Sequence, residues 1–191
     1  MKNKIKKIIS ESIDVKTQLM NDSILLDMIL EISDNCVNSL QNGGKIIFCG
    51  NGGSFADAQH LSAEFTSRFL FDRDGLASIA LGTNCSAMSA IGNDYGYENI
   101  FSRELESIGN ANDIFISFTT SGNSTNVLKA LDVAKNKKIK FYVFTGKTAG
   151  KVAGLKNCIN VPSDDTARIQ ESHIMLGHII CGFVESAIFA K

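Results

Sequence analysis

The sequence predicts an α/β fold: a doubly wound parallel sheet of five strands, preceded by a pair of helices. Three observations predict it. From residue 45 onward, short apolar runs alternate with stretches of helical periodicity. Those runs are continuous, with no in–out alternation, which suits strands buried on both faces. Residues 3–42, by contrast, carry their apolar side chains at helical spacing only. The 191 residues suit a single domain. In it, 1–42 form the helical pair and 43–191 the α/β core.

The first helix rests on Ile5, Ile8, Ile9 and Ile13, the second on Leu25, Met28, Ile29, Ile32, Val37 and Leu40. Asn21-Asp22-Ser23 breaks them and offers a new N-cap. Asn42-Gly43-Gly44 ends the second, since glycine accepts the left-handed cap conformation. Strands are expected at 45–49, 76–81, 113–118, 140–145 and 157–161. Helices are expected at 54–71, 97–108, 124–136 and 166–189. Pro162, the only proline, follows the last strand.

Lys and Arg number 19 against 20 Asp and Glu, a formal net charge of -1. That balance gives no support to a nucleic-acid partner. The basic clusters Lys2 to Lys7 and Lys135 to Lys140 contain apolar residues at structural spacing and read as solvated edges. The five cysteines lack metal-like spacing, and several sit in apolar runs, as expected in a reducing compartment. No signal peptide is expected, nor any segment reaching the ~20 apolar residues that span a membrane. The expectation is a cytoplasmic protein.

Ligands of such sheets bind at the carboxyl ends of the strands. Two junctions there have unusual composition. Gly50-Asn51-Gly52-Gly53-Ser54 follows the first strand and opens a helix. Its glycines let backbone approach an anion, and Ser54 can cap; the bland alternative is a tight capped turn. Thr119-Thr120-Ser121-Gly122-Asn123-Ser124 follows the third strand. Four hydroxyls crowd the start of a helix, where one would serve as a cap, and this favours a phosphate site.

His60 and Glu64 lie four apart on the helix after the first junction and so share a face, with Asp57 and Arg68 extending the stripe. The last helix is apolar but carries Arg168, Gln170, Glu171, His173 and His178, and buried polar groups need partners. All three histidines fall in these two helices, which favours a site. Past the second strand, a loop over 91–98 offers Asn93 and Asp94, either to sugar hydroxyls or as caps of the following helix.

Together these residues closely resemble the phosphoheptose isomerases, a branch of the sugar isomerase (SIS) domain family. The matching segments are FCGNGGSFADAQHLSAEF at 48–65, IGNDYGYENIFSRELE at 91–106, TTSGNSTNV at 119–127, FTGKTAGKVAG at 144–154 and DTARIQESHIMLGH at 165–178. The resemblance implies a flavodoxin-like SIS fold and a homotetramer. It implies conversion of sedoheptulose 7-phosphate to D-glycero-D-manno-heptose 7-phosphate, the first step of nucleotide-activated heptose biosynthesis. It implies zinc held by His60, Glu64, Gln170 and His178. It also implies a phosphate loop of Thr119, Thr120, Ser121 and Ser124. Asn51, Gly52, Gly53, Asn93 and Asp94 would contact the sugar, Glu64 and Gln170 the substrate, and Glu64 with His178 would move protons. Thr119 stands where the family usually has serine. The alternatives are a non-catalytic SIS-domain binding or regulatory protein, and an isomerase of another phosphosugar.

One geometric expectation concerns assembly. Gln170 and His178 are eight apart on one helix, so they stand roughly 12 Å apart along its axis and about 80° apart around it. One ion held by both at ~2 Å would need an awkward convergence. The expectation is therefore a site shared between two copies of the chain, with Glu64 and His178 from different subunits and the N-terminal helices bundled between them.

Overall fold

The computed structural model describes residues 1–189. Helices α1 (Lys2–Met20) and α2 (Ser23–Gln41) come first. Asp22 separates them as expected, its carboxylate accepting from Leu25 N at 3.1 Å as the α2 N-cap. The sheet follows: β1 (Ile46–Gly50), β2 (Ser78–Ala80), β3 (Ile114–Thr119), β4 (Lys140–Thr145) and β5 (Cys158–Asn160). The five strands are all parallel, in the order β2-β1-β3-β4-β5. β1 and β3 are buried at every residue, which explains their continuous apolar runs.

The remaining helices are α3 (Gly53–Thr66), α4 (Cys85–Tyr95), α5 (Ile100–Ile108), α6 (Thr125–Asn136) and α7 (Thr166–Phe189). Strand side chains alternate between two cores. Phe48, Ile116 and Phe144 point to the layer made by α2, α3 and α7, and Ile47, Phe115 and Val143 to the layer of α5 and α6. α1 reaches the first core through Val15 and Leu19 only. It is also tied to α7 by Lys16 Nζ on Glu171 Oε1 at 2.9 Å.

Four expectations change. The helix expected over 54–71 ends at Thr66, because Arg73 folds back onto its last carbonyls. Ser54 lies inside α3, whose N-cap is Gly52. The loop expected over 91–98 is mostly helix: α4 runs to Tyr95, then a 3-10 turn covers Tyr97–Asn99. α4 buries no residue fully and meets the second core only through Met88 and Ile91, so its apolar stripe is too short to betray a helix in sequence. Finally, α7 has 24 residues and is long and apolar enough, by length and composition, to cross a membrane. Its apolarity has another use here. Ile169, Leu176, Ile180 and Val184 are core residues shared with α2 and α3.

Candidate active site

The strand order reverses between β1 and β3. The chain leaves β1 toward β2 on one side and returns to β3 on the other, so the loops after β1 and β3 diverge and leave a crevice. The two unusual junctions are these two loops.

The crevice is pinned across its mouth. Asn51 Nδ2 donates to Asn126 Oδ1, and Asn126 Nδ2 donates to Asn51 Oδ1, both at 2.8 Å. Tyr97 adds its hydroxyl to Asn51 Oδ1 at 3.1 Å. Asn126 is buried in the first turn of α6 and also accepts from Val127 N at 3.0 Å. The Asn51 side chain is thus engaged in joining the loops. Asn126 and Tyr97 were not singled out in the sequence, where each reads as a local helix-start residue.

On the β3 side, Thr119 is buried and donates to Ser124 Oγ at 3.1 Å. Ser124 is the N-cap of α6 by position, but among the described residues its hydroxyl caps none of that helix's amides. Ser121 is exposed, its oxygen accepting from Asn123 N at 3.2 Å. The segment after β4 braces this loop from behind. Gly146 N donates to Thr120 O at 3.0 Å, and Lys151 N to Gly122 O at 3.1 Å and to Asn123 Oδ1 at 3.2 Å. Bracing of this kind presents the hydroxyls of Thr120 and Ser121 and the positive end of α6 to one place.

On the β1 side, α3 packs against α7. Both lie on one face of an all-parallel sheet, so they run in the same direction and equal steps along each stay in register. At the top, the Gln170 amide lies against Gly53: a Cβ there would meet Gln170 Nε2 and Oε1 at 2.7 Å. Gln170 Nε2 also reaches Ser54 Oγ at 3.4 Å. Two turns further, Gly177 lets the helices close, since a Cβ would sit 2.5 Å from Leu61 Cδ1. Next to that contact, His60 Nε2 and His178 Nε2 are 3.0 Å apart, and His60 Nε2 is 3.0 Å from Glu64 Oε1. The Phe69 ring stacks on His178 with centroids 5.4 Å apart.

The structure therefore brings three residues together, His60, Glu64 and His178, with ligand atoms all within 4.8 Å of one another. The Gln170 amide lies against Gly53. α3 and α7 of one chain already place Glu64 and His178 together, so their meeting needs no second subunit, contrary to the reason given for expecting them from different chains. The offset of roughly 12 Å along α7 from Gln170 to His178 is matched along α3 from Gly53 to His60. Asn93 and Asp94 lie near the end of α4, exposed and bonded to each other at 2.8 Å. They cap no following helix and line a shallow groove with Cys85, Ser86, Ser89 and Ala90.

The electrostatics suit proton chemistry. Burial pushes the His178 imidazolium below its usual range, His60 adds to that, and Glu64 opposes it. Asp57, one turn before His60, is raised to about 6 by burial, with His60 opposing, and its Oδ2 is buried without a hydrogen-bond partner among the described residues. Two imidazoles and a carboxylate could hold a metal ion here, and the two separations of 3.0 Å about His60 are near those of a tetrahedral site. Ligand bonds of ~2.0–2.1 Å place donor atoms about 3.3 Å apart, and three protein ligands leave a fourth position open.

The SIS domain family model matches residues 11–146. The phosphoheptose isomerase of Aneurinibacillus thermoaerophilus is 53% identical over 190 residues, covering 99% of this chain and 96% of that protein. Phosphoheptose isomerase 2 of Campylobacter jejuni is 50% identical, covering 98% and 94%. Among solved structures, the phosphoheptose isomerase GmhA of Neisseria gonorrhoeae superposes with a TM-score of 0.89 at 39% identity, covering 97% of this chain and 98% of that one.

Proposed function

The chain belongs to the SIS domain family and, within it, to the phosphoheptose isomerases, and on that footing we propose that it interconverts sedoheptulose 7-phosphate and D-glycero-D-manno-heptose 7-phosphate. The observation that carries the reading is the convergence of His60, Glu64 and His178 on the helix that opens at the crevice. The phosphate sits on the hydroxyls of Thr120, Ser121 and Ser124 at the start of α6, with the Thr119 hydroxyl behind them on Ser124. The sugar passes Gly52, Gly53 and Gln170 toward the cluster, with Asn51 holding the crevice and Asn93 and Asp94 at its rim.

Isomerisation moves one proton from C1 to C2 through an enediol, while a second passes between O2 and O1. Glu64 Oε1 faces His60, so Oε2 is the oxygen placed to take the C1 proton and return it to C2. His178 turns Nε2 to His60, which leaves Nδ1 to give the second proton to O2 and take one back from O1; burial disfavours its imidazolium. Zinc is the expected metal, held by His60, Glu64 and His178, and when bound it supplies Lewis-acid polarisation of the substrate oxygens. Gln170 is assigned to the sugar.

The working form is a cytoplasmic homotetramer. Exposed isoleucines at 5, 8, 9 and 13 on α1, and Ile24, Leu26 and Leu30 on α2, support burial between copies. So does an apolar groove of about 840 Å³ beside His178, lined by Phe69, Leu70, Ile174, Ile179 and Phe183. The five free cysteines suit a reducing compartment.

A panel of phosphoketoses tests the activity, with products identified by NMR. Turnover of sedoheptulose 7-phosphate well above that of pentulose and hexulose phosphates is expected, and no turnover of any of them rejects the reading. Metal analysis after dialysis tests the zinc assignment. His60→Ala should lose the ion and Gln170→Ala keep it; loss in both would return Gln170 to the ligand set.

A further inference from the structure

One ion pair outside the site is almost fully buried on both sides. Arg73 and Glu185 are 3% and 1% exposed and joined through Arg73 Nε and Glu185 Oε1 at 2.9 Å. Each also makes several backbone bonds. Arg73 donates to Glu64 O and Phe65 O at 2.7 Å, and to Ser67 O and Asp74 O at 3.0 Å. Glu185 accepts from Phe69 N at 2.8 Å and Leu70 N at 2.7 Å. Burial alone would raise the Glu185 carboxyl, but those two amides and Arg73 outweigh it and hold it below the usual range.

A buried ion pair is a poor device for stability alone, because well-packed apolar residues usually do as well. Where the bonds end is the informative part. One arm of the network grips the carbonyl of Glu64 itself. The other fixes the backbone of Phe69, whose ring stacks on His178. Glu185 sits on α7, two turns past His178. A single carboxylate thus ties the end of α3, which carries Glu64, to the helix that carries His178. It also sets the aromatic face against which His178 rests.

We propose that Arg73 and Glu185 are positioning residues of the isomerase centre, holding Glu64 and His178 in their mutual geometry from outside the substrate pocket. The proposal rests on the reading of Glu64 and His178 as the proton-moving pair. It implies that the charges serve geometry more than folding free energy.

Three variants of the full-length protein test it: Glu185→Gln, Arg73→Lys, and the apolar double Arg73→Met with Glu185→Leu. Expected are a kcat lowered 10–100-fold, a KM within about twofold of the parent, and a Kd for zinc weakened about tenfold or more in competition with a chromophoric chelator. The double variant should melt close to the parent yet share the loss. If it keeps parental kcat and zinc affinity, the pair is structural only and the proposal fails. Should the double not fold, Glu185→Gln, which keeps the side-chain volume, is read the same way. Glu64→Gln run alongside separates the two levels. Parental turnover there rejects the reading of the site; loss there with parental turnover in the pair variants rejects positioning alone.

Discussion

The side-chain amides of Asn51 and Asn126, 75 residues apart, face each other head to tail, each donating to the other's oxygen at 2.8 Å. This pair joins the loop that leads to Glu64 to the helix that starts at the phosphate loop. Asn126→Asp keeps the acceptor used by Asn51 Nδ2 and Val127 N but sets an oxygen against Asn51 Oδ1. An unmatched buried contact of this kind costs ~1–3 kcal/mol, so KM should rise about tenfold. Steady-state kinetics on the folded variant checks it, and an unchanged KM would show that the two loops do not depend on each other.

Glu64→Gln and His178→Gln should each lower turnover by ~10²–10⁴ while preserving the circular dichroism spectrum, the usual cost of losing a general acid or base. Because α3 and α7 of one chain supply both, mixed oligomers of the two inactive variants should stay inactive. Recovery in hybrids confirmed by native mass spectrometry would mean that the working pair is drawn from two chains.

Ser121→Ala and Ser124→Ala each remove a hydroxyl at the start of α6. A hydrogen bond to a charged group contributes ~1.5–3 kcal/mol, so calorimetric affinity for the sugar phosphate should fall about tenfold or more. Thr119→Ser should bind as the parent does, since its hydroxyl goes to Ser124 and only a methyl is lost. Parental binding in both serine variants would remove the loop from the phosphate site.

His173 is fully buried between Phe118 and Phe144, and burial lowers its pKa to about 4, with the Thr145 carbonyl opposing. Unfolded, it titrates near 6.5. Between those values the unfolded chain binds a proton that the native one refuses. Stability is therefore full above pH ~6.5 and falls toward pH 4, by about 3 kcal/mol in all. Urea melts across this window should show the slope, and His173→Phe should flatten it. Thr145 O still accepts from Val161 N in that variant. An equal slope in both proteins would assign the acid sensitivity elsewhere.

The sheet was readable because β1 and β3 are apolar at nearly every position, a direct consequence of burial on two faces. Asp22 was readable as a cap because capping is local. α4 was not, since a helix that rests on the core only through the half-buried Met88 and Ile91 writes a weak stripe into its sequence. The seat of Gln170 against Gly53 and of His178 against His60 depends on how α3 and α7 lie against each other, which no single-helix periodicity contains. Arg73 and Glu185 are 112 residues apart, and nothing near either one announces the other.

The shared direction of α3 and α7 also bears on which sequence changes this protein can absorb. Gly53 precedes His60 by seven residues and Gln170 precedes His178 by eight. One residue inserted into either interval turns everything beyond it by about 100° and disperses the cluster. Length changes confined to the loops between α3 and α7 leave the meeting point alone, although His60 and His178 are 118 positions apart. Homologues should therefore vary freely in loop length while holding both intervals fixed. A random insertion library selected for activity should be empty within 53–64 and 170–178 and populated at the turns between them.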